Sequence, residues 1–154
     1  MNSNWDRTKY LYANIGKLIT SSLDLKDILS GIMEEVDGFF GPEYWSLLRF
    51  DPATDSLFFT IIRGNDLEKV KHITLKSGEG IAGTVARTGQ SLFVPDASSD
   101  PRFSDRVDRA LGFKTESIIA VPLIFRDQVY GVIEIINRRE GGHFTADEHL
   151  ILRT

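Results

Sequence analysis

The chain has 154 residues, 42% hydrophobic, 10% aromatic and 26% charged, with Lys+Arg 18 against Asp+Glu 22. That length makes one ordinary domain, able to bury roughly 68–70% of the surface its unfolded chain exposes, and the apolar fraction excludes a disordered or low-complexity chain. A formal net charge of -4 with no basic stripe argues against nucleic acid as a partner, and the absence of Cys excludes disulfides, Cys-ligated zinc, iron–sulfur clusters, thiol catalysis and thiol-attached pigments. No apolar stretch follows a basic region in Met1–Arg7, so no secretory leader is expected. The longest apolar run, Ile118 to Phe125, falls far short of the ~20 residues a membrane helix needs. A cytoplasmic domain that does not enter membranes is the expectation.

From about Trp5 to Thr20 the pattern predicts a helix. Leu11, Ile15, Leu18 and Ser22 alternate spacings of four and three, and the beat continues at Leu25, Leu29, Ile32 and Val36. So narrow a stripe suits a two-helix seam, which makes Leu11, Ile15 and Leu18 candidate dimerisation residues. Asp24 is placed to cap a second helix that Gly38 and Gly41-Pro42 end. The period then changes. Tyr44 to Phe50 and Leu57 to Ile62 read as strands of a hairpin joined through Asp51-Pro52-Ala53-Thr54-Asp55, and His72 to Leu75 as a short third strand.

Gly78-Glu79-Gly80-Ile81-Ala82-Gly83 opens a helix that runs to about Thr88 and stops at Gly89. Ser91 to Val94 is a brief strand, and Ser104 caps a short helix through Leu111 and Gly112. Ser117 to Phe125 and Val129 to Ile136 are the strongest strands, apolar enough to be central. Thr145 and Glu148 form a capping box for a last helix, which at barely two turns is expected to continue in a longer protein. The sum is an α+β domain with one six-stranded, largely antiparallel sheet. Terminal helices are expected on one face, with Gly78 to Phe113 covering the other, where a cavity can form. Residues 1–22 form the leading signalling helix of this scheme and 23–154 the domain proper.

The order and spacing of several pieces resemble the GAF family of small-molecule sensor domains. The residues are Gly78-Glu79-Gly80-Ile81-Ala82-Gly83, Thr88-Gly89, Pro95-Asp96, Asp100-Pro101-Arg102-Phe103, Ser117 to Leu123, Gly131-Val132-Ile133-Glu134, Asn137-Arg138 and Phe144 to Glu148. A PAS-like sensor also has an antiparallel sheet, but it predicts neither the two leading helices nor the Gly78–Gly83 opening. The resemblance implies a ligand pocket between the sheet and the middle segment, a homodimer formed through terminal helices, and an output domain in the same polypeptide. Such output domains include sensor histidine kinases of two-component systems, transcriptional activators and cyclic-di-nucleotide enzymes. It leaves the ligand and any cofactor unspecified. Members that bind cyclic nucleotides carry Asn-Lys…Phe-x-x-x-Asp-Glu; here Arg138 replaces the Lys, and Phe144-Thr145-Ala146-Asp147-Glu148 is one residue short. An Arg138–Asp147 ion pair is the expected remnant.

Within that frame, Ile81 and Ala82 offer free backbone N–H groups at a helix start, where anions are favoured. Phe93, Asp96, Arg102 and Phe103 would supply aromatic faces, a carboxylate and a guanidinium to a polar, planar ligand. Alternatively, Asp96 caps its own loop and pairs with Arg102. By strand alternation Glu134 shares a face with Val132 and Ile136, opposite Ile133 and Ile135, and if buried it needs a ligand or an Arg partner. Ser117 is a further candidate. His72, His143 and His149 lack metal-ligand spacing, so no metal site is expected. No Gly-x-Ser-x-Gly elbow occurs, and Glu34-Glu35 and Asp147-Glu148 are adjacent helix positions that do not face one another. The GAF branch that reduces free methionine sulfoxide works through cysteines absent here. The expected function is therefore non-catalytic: a small-molecule-binding regulatory domain that relays ligand state through a dimeric helical bundle. The alternative is a ligand-free interaction module whose cavity is plugged by Phe93, Phe103 and Phe113.

Overall fold

Six strands, β1 (Pro42–Asp51), β2 (Ser56–Ile62), β3 (Thr74–Lys76), β4 (Leu92–Val94), β5 (Ile118–Phe125) and β6 (Gln128–Arg138), form one sheet in the order β3-β2-β1-β6-β5-β4. Every neighbouring pair is antiparallel. The computed structural model describes residues 6–11, 13, 25–63 and 66–153, with side chains in the third stretch from residue 27. The helices are α1 (Leu25–Phe40), α2 (Leu67–Val70), α3 (Gly80–Thr88), α4 (Arg106–Leu111) and α5 (Ala146–Arg153), with a 3-10 turn at Ala97–Ser99.

The chain divides into two units, Met1–Gly41 and Pro42–Thr154. In the first, residues 6–11 are helical, and the Arg7 guanidinium donates to the Phe39 carbonyl at 2.7 Å while lying 4.9 Å above the Phe39 ring. Helix α1 passes through Gly38, where the sequence suggested a stop. It ends only at Gly41, whose φ of 60° is the left-handed turn that releases the chain, its N–H bonding the Asp37 carbonyl. Met33, Val36 and Phe40 are buried at helical spacing, whereas Leu29 and Ile32 of the expected stripe are only half-buried. The expected Asp24 cap, Ile15 and Leu18 lie outside the described residues.

In the second unit the central strands β1, β6 and β5 each carry an unbroken run of four or more buried residues, as burial on both faces requires. Arg126 and Asp127, at φ 51° and 63°, make the two-residue turn between β5 and β6. One sheet face carries the main core: Leu48, Leu57, Phe59, Ile118, Ala120, Val132 and Ile136 pack with Ile81, Ala82, Val85 and Ala86 of α3. Gly83 lets α3 come this close, since a Cβ there would stand 2.5 Å from the Lys76 carbonyl oxygen. Gly89, at φ 68°, ends the helix.

Helix α5 meets the β4–β5 edge from the opposite face, with Phe93 against His149 at 6.0 Å and the His149 ring nitrogen 2.8 Å from the Ser91 hydroxyl. Its capping box forms as read: Thr145 N–H donates to Glu148 at 3.0 Å, and the Thr145 hydroxyl accepts from Glu148 N–H at 3.2 Å. Two expectations are corrected and a third is met in part. Helix α2 occupies Leu67–Val70, leaving His72 in a turn before a strand that starts at Thr74. Helix α4 has Asp105 in the N-cap position, but Asp105 makes no side-chain cap, and it is the Ser104 hydroxyl that accepts from Arg106 N–H, at 3.5 Å. Arg138 pairs with Glu148 at 2.8 Å rather than with Asp147, because the capping box already turns Glu148 back toward the strand end.

Candidate functional site

The alternation of β6 directs Val132, Glu134 and Ile136 at the face covered by α3 and α4, and Ile133 and Ile135 at the other. Glu134 stands in the middle of this apolar strip. Its cross-strand neighbours are Ser46 on β1 and Ala120 on β5, both small. Two short side chains flanking one position leave a hollow that larger residues would fill. Above it, Phe103, Val107, Asp108, Leu111, Phe113 and Thr115, from α4 and its flanks, form a roof, and the start of α3 closes one side with Gly80, Ile81 and Ala82.

The hollow has a volume of about 50 Å³ and is partly open to solvent. One water needs about 10–15 Å³. The cavity thus holds only a few atoms while the roof is closed. Two contacts hold the roof down. Asp108 accepts from the Thr115 hydroxyl at 2.6 Å and the Thr115 N–H at 2.7 Å, folding the chain after α4 back on itself. Phe113 stacks on Tyr44 of β1 at 4.2 Å with ring planes 22° apart. The salt bridge from Arg106 to Glu79 further ties α4 to the start of α3.

Glu134 is only 8% exposed. Its carboxyl has no hydrogen-bond or ion-pair partner among the described residues. Burial, with a smaller push from the Asp108 charge, raises it from 4.5 to about 7. Across the cavity, the first N–H groups of α3 lack intrahelical acceptors, and Glu79 at the N-cap makes no side-chain cap to them. Among the described lining residues there is no Lys, Arg or His.

The sequence candidates divide between this cavity and elsewhere. Ile81, Ala82, Phe103 and Glu134 line it together. Phe93 does not: Leu92 and Val94 face the main core, so alternation turns Phe93 to the α5 side. Asp96 is exposed and bonds the Ser98 hydroxyl at 2.6 Å and the Ser98 N–H at 3.1 Å, the first of these holding its carboxyl below the usual range. Arg102 pairs with Asp100 at 2.9 and 2.6 Å, not with Asp96, because two residues' separation lets the guanidinium fold onto the carboxylate beside it. Ser117 is fully buried, and its hydroxyl has no partner among the described residues, but it lies outside the cavity lining. Leu11 is buried within the chain.

Tyr44, Ser46, Phe59, Asp108 and Thr115 also line the cavity, and no motif in the sequence marks them. Ser46 and Ala120 were the legible signal, since each interrupts a run of large apolar residues.

Comparison with known proteins agrees with this architecture. The profile of the family described as "GAF domain" matches residues 24–154. The chain belongs to the GAF domain family. A curated relative, the dual 3',5'-cyclic-AMP and -GMP phosphodiesterase 11A of Takifugu rubripes, is 40% identical over 78 residues, covering 49% of this chain and 9% of that enzyme. Among solved structures, the GAF domain of a phosphoenolpyruvate-protein phosphotransferase from Coxiella burnetii superposes with a TM-score of 0.84 at 20% identity, covering 98% of this chain and 89% of that one. The GAF domain of the Acinetobacter phosphoenolpyruvate-protein phosphotransferase gives 0.77 at 22% identity, covering 99% and 87%. At these identities the structures establish the fold. The GAF domain is a regulatory, ligand-binding fold. No helix among the described residues is long and apolar enough to cross a membrane.

Proposed function

We propose that this GAF domain is the small-molecule sensor of a cytoplasmic signal-transduction protein and that its ligand occupies the cavity beneath α4. The observation that carries the reading is Glu134, a buried acid without a partner among the described residues, facing a small hollow between the sheet and α4. A ligand shifts a conformational equilibrium only through differential affinity for two states. The roof supplies such a pair of states: closed, with Asp108 on Thr115 and Phe113 on Tyr44, or open, with those contacts broken. The output would be a sensor kinase, a transcriptional activator or a cyclic-di-nucleotide enzyme in the same polypeptide, reached through a homodimeric helical bundle. The proposed dimer seam is Leu11, Ile15 and Leu18, of which Leu11 is already buried within the chain. Leu18→Glu should shift the protein from dimer to monomer in sedimentation, and an unchanged dimer would refute that seam.

Cyclic nucleotide, named in the phosphodiesterase relative, is a poorer candidate ligand. The Asn137-Arg138 and Phe144–Glu148 stretch departs from the signature. Ligand pockets for molecules of that class are about 300 Å³ or more, against about 50 Å³ here. The same small volume favours one rival reading, an interaction module whose cavity Phe103 and Phe113 already fill. Native mass spectrometry of freshly purified protein, followed by denaturing release, separates the two. A stoichiometric small molecule supports the sensor. A clean apo protein, with no thermal shift across a broad metabolite set, supports the module.

A further inference from the structure

The lining of the cavity carries information on charge as well as size. Its described ionisable groups are acidic or phenolic: Glu134 on β6, Asp108 on α4 and Tyr44 on β1, while β5 and α3 present no titratable side chain to it. Asp108 already has two donors from Thr115. Glu134 has none, and its strand neighbours Ser46 and Ala120 leave the space beside its carboxyl empty of large side chains. The start of α3 contributes a positive end, but a helix dipole amounts to roughly half a charge, less than one full carboxylate. An anion entering here would meet two acids, and no described Lys, Arg or His lines the wall to offset them. The rings of Tyr44, Phe59, Phe103 and Phe113 complete the walls, and their faces attract cations.

We propose that the cavity selects a small organic cation of about four non-hydrogen atoms, an amidinium or primary ammonium, with Glu134 as its counter-ion and the aromatic rings as its walls. This rests on the reading of the cavity as a ligand site and adds the chemistry of what enters. A donor of the amidinium type presents two N–H groups to one carboxylate, the geometry that gives the strongest charge-assisted pairing. The cation keeps Glu134 ionised, so binding below neutral pH displaces a proton from it, and affinity rises as pH increases.

The test uses three molecules of nearly one shape and three charges: acetamidinium, acetamide and acetate, titrated into the whole chain by calorimetry or ligand-observed NMR. Acetamidinium is expected to bind about tenfold or more tightly than acetamide, with no binding by acetate. Its affinity should be higher at pH 8 than at pH 6. Glu134→Gln should cost acetamidinium about tenfold and remove the pH dependence. Equal binding of the three, preference for acetate, or no binding by any of them overturns the proposal. Should the variant fail to fold, the charge preference and pH trend of the wild-type protein still decide. The two readings fail separately. A co-purified neutral or anionic molecule overturns the cation and leaves the ligand site standing, whereas an apo protein that ignores all three probes and a broad metabolite set overturns both.

Discussion

Replacing Glu134 by Gln tests whether the buried acid costs the fold stability at neutral pH. Gln keeps the shape and cannot ionise. In the folded protein Glu134 titrates near 7 instead of 4.5, chiefly because it is desolvated and secondarily because Asp108 is near. At about 1.4 kcal/mol per pH unit, that difference amounts to about 3 kcal/mol. The sign follows from proton binding. Between the two values the folded state holds a proton that the unfolded state has released, so stability is fully present below 4.5 and is lost as pH rises through about 7. Other groups titrate alike in both proteins and cancel in the difference. Denaturant melts of both across pH 4.5 to 8.5 should therefore converge at the acid end and separate in favour of Glu134→Gln at the alkaline end. The gap expected there is about 3 kcal/mol, or about 10 °C in Tm for a domain of this size. Parallel curves would show that Glu134 is solvated or paired in solution, and the argument from an unpartnered acid would fall.

Other substitutions probe the frame around the site. Gly83→Ala should lose about 2 kcal/mol in denaturant unfolding, although Ala normally gains about 1 kcal/mol over Gly in a helix, because the added Cβ lies 2.5 Å from the Lys76 carbonyl oxygen. Asn137, at φ 55°, accepts from the N–H groups of Glu116 and Ser117 and donates to the Lys114 carbonyl, fixing the chain on either side of Thr115. Asn137→Ala should cost about 3 kcal/mol, and Asn137→Gly about 1 kcal/mol less because glycine tolerates the left-handed backbone; equal losses in chemical melts would refute the backbone part. Ser117→Ala removes a buried hydroxyl with no described partner and should raise stability by about 1 kcal/mol, where a drop in Tm would reveal a partner. Glu148→Ala should cost more than Arg138→Ala, about 1 kcal/mol against a few tenths, since Glu148 is both capping-box residue and ion-pair partner.

What the sequence made legible were features set by local rules. The hairpin of β1 and β2, the Gly89 and Gly112 helix stops and the Thr145–Glu148 box each depend on a few neighbouring residues. That Glu134 shares a side of β6 with Val132 and Ile136 followed from alternation, but which face of the sheet that side makes did not. The errors came where a local rule met a longer-range contact. Gly38 reads as a stop, yet α1 continues to Phe40, whose side chain is buried. Phe93, Asp96 and Arg102 sit in a segment whose family resemblance points at a pocket. Phe93 and Arg102 settle instead on His149 and Asp100, partners on the other face or nearer at hand, while Asp96 takes its loop-capping alternative on Ser98. Register was also unreadable, and with it the fact that Ser46 and Ala120 flank Glu134.

That register is what turns a list of side chains into a site. Alternation alone gives an acid on a buried face, a group that destabilises the fold and would normally be satisfied by an Arg. Register adds a small residue on each side, so the acid faces a void rather than a partner. The roof completes the arrangement. Its fastening is polar, through Asp108 on Thr115 and Arg106 on Glu79, and apolar, through Phe113 on Tyr44 and the packing of Phe103, Val107 and Leu111 on the core. A leucine at 134 would remove the penalty at neutral pH. The acid keeps it unless it takes up a proton or meets a donor that enters from outside.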